Sequence, residues 1–178
     1  MSFEQSLEVG KIGESRIAAW LNQRGLHVLP VYEKEVREGK GPTLFSAEGK
    51  QHICPDLLAF RDGKAYWIEA KHKNAFSWHR ATERFVTGID VKHYQEYMQV
   101  QRIHPEWAIW LFFLHRKGTA KDTPEGLVGP SGLFGGTLNY LQAHENHRHG
   151  NWGNGGMVYW SANTLQQIAP LDDVMKAA

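Results

Sequence analysis

Apolar residues at helical spacing (Phe3, Leu7, Gly10, Ile17, Trp20 and Leu21) predict a helix over residues 3–24, and Gly25 is its stop. Leu26 to Glu33 alternate enough for a first strand, and Pro30 puts it at an edge or on a bulge. Residues 34–51 carry Lys34, Glu35, Arg37, Glu38, Lys40, Gly41, Pro42 and Lys50 and read as a loop or loose ribbon. Two apolar runs, Ile53 to Phe60 and Ala65 to Lys71, then flank Asp62-Gly63, a strong two-residue hairpin signal. Thr87-Gly88-Ile89-Asp90 reads as a turn that opens a helix from Asp90 to Arg102. Val91, Tyr94, Met98 and Gln101 line one side of that helix, Tyr97 lies beside them, and Pro105 ends it. Ala108 to Leu114 is a continuous apolar run, the pattern of a strand buried on both faces. Strand, helix and strand in that order indicate α/β architecture. Residues 116–156 are glycine-rich and read as an insertion with a short helix near 137–144. Met157 to Trp160 reads as a strand, and Ser161 as the N-cap of a helix through Ile168.

Counting outward from Asp62-Gly63 sets the hairpin register: Arg61 meets Lys64, Leu58 meets Trp67, and Asp56 meets Glu69. Directly opposed residues share a face, with Cβ atoms roughly 4.5–5.5 Å apart. Lys71 and Lys73 return to that face because side chains alternate along a strand. The other face carries Leu57, Ala59, Tyr66, Ile68 and Ala70, which suits a core. Opposed carboxylates repel unless a cation lies between them, and a hard divalent metal is one such cation.

A chain of 178 residues fits one domain, 1–178, and can bury a core. Its 42% hydrophobic and 22% charged content is ordinary for a globular protein. The net charge of +1 is not the bulk signature of a nucleic-acid binder, although a local basic surface is compatible with it. The single cysteine, Cys54, excludes an internal disulfide framework and reads as a buried small hydrophobe. No run approaches the ~18 apolar residues of a membrane span. The acidic start, with Glu4 and Glu8, does not resemble a signal peptide, so the expected compartment is cytoplasmic.

Pro55-Asp56, twelve residues, then Glu69-Ala70-Lys71 resembles the signature of the PD-(D/E)XK nuclease superfamily, which includes restriction endonucleases, Holliday-junction resolvases and phage-type nucleases. The resemblance covers roughly residues 5–115. It implies a restriction-endonuclease-like core of helix, three-stranded antiparallel meander, crossover helix and further strand. It also implies a metal-dependent endonuclease acting on DNA, structure-selective for branched or junction DNA in the resolvase branch. Asp56, Glu69 and the Ala70 carbonyl would hold Mg²⁺, with Mn²⁺ as a substitute. Lys71 would orient or deprotonate the attacking water, orientation being favoured, and contact the phosphate, and Glu14 of the first helix would anchor Lys71 or a metal-bound water. Lys73 would clamp phosphate, and Tyr94 and Gln95 of the crossover helix are the matching candidates near the site. A homodimer would suit paired cuts across a junction and a monomer would suit nicking.

Other readings stand beside these. His144 and His147 have i, i+3 spacing that zinc could use, whereas their glycine- and asparagine-rich flanks suit a polar loop. In 72–80 basic and aromatic residues alternate; Phe76 and Trp78 either stack on bases or fold back onto the core. The 34–51 stretch is a solvated connection or a DNA-contacting loop. For the whole chain, the rivals to an endonuclease are a non-cleaving nucleic-acid-binding module on the same scaffold and an unrelated α/β protein.

Overall fold

The computed structural model describes residues 3–31, 42–150 and 155–177. The charged run through residue 41 and the glycine-rich positions 151–154 lie outside the described residues, as do the side chains of Phe3 and Leu7. The chain opens with α1 (Phe3–Gln23), β1 (His27–Pro30), β2 (Thr43–Phe45), β3 (Gln51–Ile53), β4 (Leu57–Arg61) and β5 (Lys64–Lys73). Next come β6 (Ser77–His79), β7 (Arg84–Asp90), α2 (Val91–Ile103) and β8 (Ala108–His115). It closes with β9 (Gly132–Thr137), α3 (Leu138–Ala143), β10 (His147–His149), β11 (Met157–Ser161), β12 (Gln166–Ala169) and α4 (Leu171–Met175).

A six-stranded sheet, in the order β1-β4-β5-β8-β9-β12, forms the centre. β1, β4 and β5 run antiparallel, and β8 lies parallel to β5 after the α2 crossover. β1 is an edge strand, the position its proline requires. α1 ends where Gly25 takes φ +80°, the left-handed conformation of a helix stop. α1 and α4 cover one face of the sheet, burying Ile17, Trp20 and Leu21 against Leu57, Ile68, Leu114 and Val174. α2 and a second sheet, β10-β11-β7-β6, cover the other face around Tyr94, Tyr97, Ile109, Phe113, Val158 and Trp160. With both faces covered, the apolar run of β8 is buried almost throughout. Each such large side chain, fully buried, contributes about 1.5–3 kcal/mol.

Three sequence expectations are corrected. Thr87 to Asp90 is not a turn but the end of β7, paired with β11. Gly88 is there for close approach: a Cβ would meet the Val158 carbonyl oxygen at 2.2 Å. Within the glycine-rich stretch, Gly132–Thr137 is a buried strand bonded to both β8 and β12. A side chain at Gly135 would meet the Leu111 carbonyl oxygen at 2.8 Å and the Phe112 ring at 2.6 Å, so packing selects glycine. Ser161 ends a strand instead of capping a helix; its hydroxyl shares a 2.9 Å hydrogen bond with Thr164 in the turn to β12. The helix comes later, as α4. The expected short helix near 137–144 is α3, capped by Thr137, whose hydroxyl accepts from the Tyr140 N–H.

Candidate active site at the hairpin

Asp62 and Gly63 take φ +51° and +72°, the two left-handed residues of a type I′ turn. That turn pairs Arg61 with Lys64, Leu58 with Trp67, and Leu57 with Ile68. Asp56 lies just before β4. Its Oδ2 accepts a hydrogen bond from the Ala70 N–H at 3.0 Å, and its carbonyl accepts from the Val31 N–H at 2.9 Å. These two bonds fix Asp56 between β1 and β5, beside Glu69.

Glu69 points away from α1 and is wholly buried, 0% exposed. The Lys71 ammonium forms an ion pair with its Oε1. Glu69 is thus a buried carboxylate whose polar partners are the Lys71 ammonium, Tyr97 and Asp56. Such a group costs several kcal/mol unless a charge compensates it. Burial first, and then the neighbouring Glu69, push the Asp56 carboxyl up to about 7. Burial alone would lower Lys71, but Glu69 and Asp56 outweigh it and hold the amine above the ordinary lysine value. Lys71 therefore stays an ammonium at neutral pH.

Glu14 arrives from α1. A Cβ on Gly13 would sit 2.4 Å from the His72 Cβ, so the bare glycine lets the helix lie against β5. Glu14 is half-buried; its pKa is raised by burial first and by Asp56 second, and lowered in part by Lys71. It thus joins the same electrostatic cluster. Lys73, also half-buried, has its pKa lowered by burial and by Lys71, with Asp90 opposing.

The α2 candidates sit elsewhere. Tyr94 is buried and its hydroxyl donates to Glu145 at 2.9 Å, while Gln95 is exposed. The α2 residues coupled to the cluster are Tyr97 and His93. Burial, Glu69 and Asp56 raise Tyr97 well above the usual tyrosine pKa. Burial and Lys71 lower His93, whose Nδ1 is buried without a partner. Asp90, His93 and Tyr97 follow one another at i, i+3 and i+7, a single helix face that was available in the sequence.

The other sequence candidates separate. Phe76 is in the core, stacked on His115 at 3.6 Å, and Trp78 is half-buried. His147 lies in β10, stacked between His79 at 3.7 Å and Tyr159 at 4.6 Å, and His144 Nδ1 lies 2.8 Å from the Tyr140 carbonyl. Among the described residues no three His, Cys, Asp or Glu side chains gather around one ion position. No helix among them is long and apolar enough to cross a membrane.

No protein-family model matches the chain, and no curated protein matches it. Among solved structures, the fold is similar to that of Hjc, a Holliday junction resolvase from the archaeal hyperthermophile Archaeoglobus fulgidus, determined at 1.6 Å resolution. The superposition has a TM-score of 0.52 and 10% sequence identity, and covers 95% of this chain and 100% of that one. At that identity the likeness is one of fold: a mixed α/β chain built around a central sheet, arranged like a resolvase.

Proposed function

We propose that this chain is a metal-dependent endonuclease that hydrolyses DNA phosphodiester bonds, with branched or junction DNA as its preferred substrate. One observation carries the reading: a fully buried carboxylate, Glu69, set beside the Asp56 carboxyl and ion-paired to Lys71. The resolvase-like fold supports the choice of DNA, and the activity named for that neighbour, a Holliday junction resolvase, supports junctions as the substrate class.

The residues fit a hard divalent ion. Asp56, Glu69 and the Ala70 carbonyl are hard oxygen donors, and the repulsion between the two carboxyls, which raises Asp56, is what a divalent cation relieves. Two carboxylates and one carbonyl suit Mg²⁺, which keeps several waters and binds through few protein ligands. Such an ion, when bound, supplies water activation and neutralises charge on the phosphoryl oxygens. Lys71, held as an ammonium, orients the attacking water and contacts the scissile phosphate. Its carboxylate neighbours favour the charged form in the metal-free protein, which suits orientation of the water over its deprotonation. Glu14 positions Lys71 from the α1 side, and Lys73 binds a phosphate oxygen. Tyr97 packs behind Glu69 and excludes solvent. Water attacks phosphorus and gives up a proton to solvent, the bond to the leaving deoxyribose oxygen breaks, and that oxygen takes a proton from solvent.

The test is cleavage of plasmid, four-way and flapped DNA with Mg²⁺ or with EDTA, by the wild-type protein and Asp56→Ala. Cutting that requires Mg²⁺ and Asp56 and favours branched DNA is expected. Cutting that survives both EDTA and Asp56→Ala, or no cutting of any substrate, overturns the reading.

A further inference from the structure

Residues 76–80 lie beyond the side chains of the catalytic cradle. The chain leaves the end of β5, buries Phe76, and presents Trp78 and Arg80 at the β6 edge of the second sheet. There a hollow of about 430 Å³ is lined by Trp78, Arg80, Glu83, Lys121, Asp122 and Thr123. Phe85 supports the Trp78 indole edge-on, with ring centroids 5.0 Å apart. Arg80 and Asp122 form a 3.7 Å ion pair in the lining, with both side chains largely exposed. The Thr123 hydroxyl is buried and has no hydrogen-bond partner. Glu83 holds a left-handed backbone, φ +49°, which a glutamate adopts only at a cost.

We propose that this hollow binds one unpaired nucleotide of the DNA substrate, its base against Trp78 and its phosphate on Arg80 and Lys121. The proposal rests on the nuclease reading and deepens it by requiring a single-stranded segment near the cut. Each part of the lining matches a part of that ligand. An indole with one side supported is a platform for a base, since every base has a π-face. Two cations suit one phosphate. Two carboxylates argue against a duplex surface, which would be lined by cations alone. Carboxylates instead suit the exocyclic amino group of cytosine, adenine or guanine, which thymine lacks. The position also fits: Trp78 follows Lys71 by seven residues, so their Cα atoms lie at most about 25 Å apart. A strand cut at the cradle and frayed beside it would reach the hollow.

The experiment compares binding, in EDTA so that nothing is cut, to a fully paired duplex and to the same duplex with a five-cytosine or five-thymine flap. Fluorescence anisotropy is the readout for the wild type, Trp78→Leu, Trp78→Phe and Lys121→Glu, with circular dichroism to check folding. The wild type is expected to prefer the cytosine flap over paired DNA by about tenfold, the scale of one base–aromatic stack. Trp78→Leu and Lys121→Glu lose that preference and bind paired DNA as before; Trp78→Phe keeps most of it. If Trp78→Leu and Lys121→Glu both keep the flap preference, or the wild type has none while still cutting DNA, the hollow is not a nucleotide site and the nuclease reading stands. Displacement of the flap effect by free deoxycytidine monophosphate at equal concentration also overturns it, in favour of a mononucleotide effector. A wild type that neither binds nor cuts DNA removes both readings together.

Discussion

Replacing Asp56 with asparagine should make the metal-free protein more stable, although it removes a residue assigned to the active site. The carboxyl of Asp56 is pushed from 3.8 up to about 7 by burial first and by Glu69 second, against the opposing pull of Lys71 and the Ala70 N–H. The folded state therefore keeps a proton that the unfolded chain releases near pH 4. For a carboxyl raised in this way, the stabilising contribution is complete below the unfolded value and is lost as pH rises through about 7. The interval is about 3 pH units at roughly 1.4 kcal/mol each, so ionising Asp56 in place costs about 4 kcal/mol by pH 8. Asparagine keeps the shape and can still accept from the Ala70 N–H, but it does not ionise. Urea unfolding in EDTA should find Asp56→Asn more stable than wild type by about 2–4 kcal/mol at pH 8 and the two nearly equal at pH 4. At pH 8 that is a Tm difference of ~5–15 °C for a chain of this size. Added Mg²⁺ should then raise the wild type and leave the variant unmoved. A gap that is flat between pH 4 and pH 8 would mean that Asp56 is not held against a neighbouring buried charge, and the cradle argument would fail with it.

Other expectations are as direct. Lys71→Ala should keep the Mg²⁺-dependent rise in Tm yet cut DNA about 10²–10³-fold more slowly, the usual loss for one electrostatic donor; wild-type cutting removes Lys71 from the mechanism. Cys54 is 2% exposed and its thiol is pushed up to about 12 by burial, so a thiol reagent at pH 8 should label it only after unfolding. Rapid labelling of native protein would show that the β3–β4 junction opens. Gly88→Ala should cost about 1–3 kcal/mol or more in urea unfolding, because the new methyl meets the Val158 carbonyl; an unchanged midpoint would mean that β7 and β11 can separate freely.

The hairpin, its register and the buried β8 strand were legible because local signals agreed: a two-residue turn, alternation on both sides, then an unbroken apolar run. The placement of Asp56 beside Glu69 follows from that count alone. What misled was glycine and serine. Gly88 and Gly135 mark backbones pressed together, and no local pattern separates that from a turn. Ser161 before a mixed run looks like a helix cap, but its partner is a turn threonine and the next residues pair with β9. On α2, Tyr94 and Tyr97 are both buried aromatics three residues apart. Only the second sheet, itself invisible in the sequence, decides that the first turns to Glu145 and the second to Glu69.

β5 is bonded on one side to β4 and, from Tyr66 to Lys73, on the other side to β8. Between two such neighbours the strand has no freedom to rotate, so the chain counts in twos there. One extra residue between Gly63 and Glu69 would turn the carboxylate and the ammonium toward α1 and offer apolar side chains to the cradle. Two would restore the facing but carry the pair one pleat along, out of reach of Asp56. The segment between His115 and Gly132 is bound by no such arithmetic, since it belongs to no strand. Grafted sequence, tags or recognition modules belong at its exposed stretch around Gly126, clear of Lys121 to Thr123, where length can grow without reversing the direction in which the site looks.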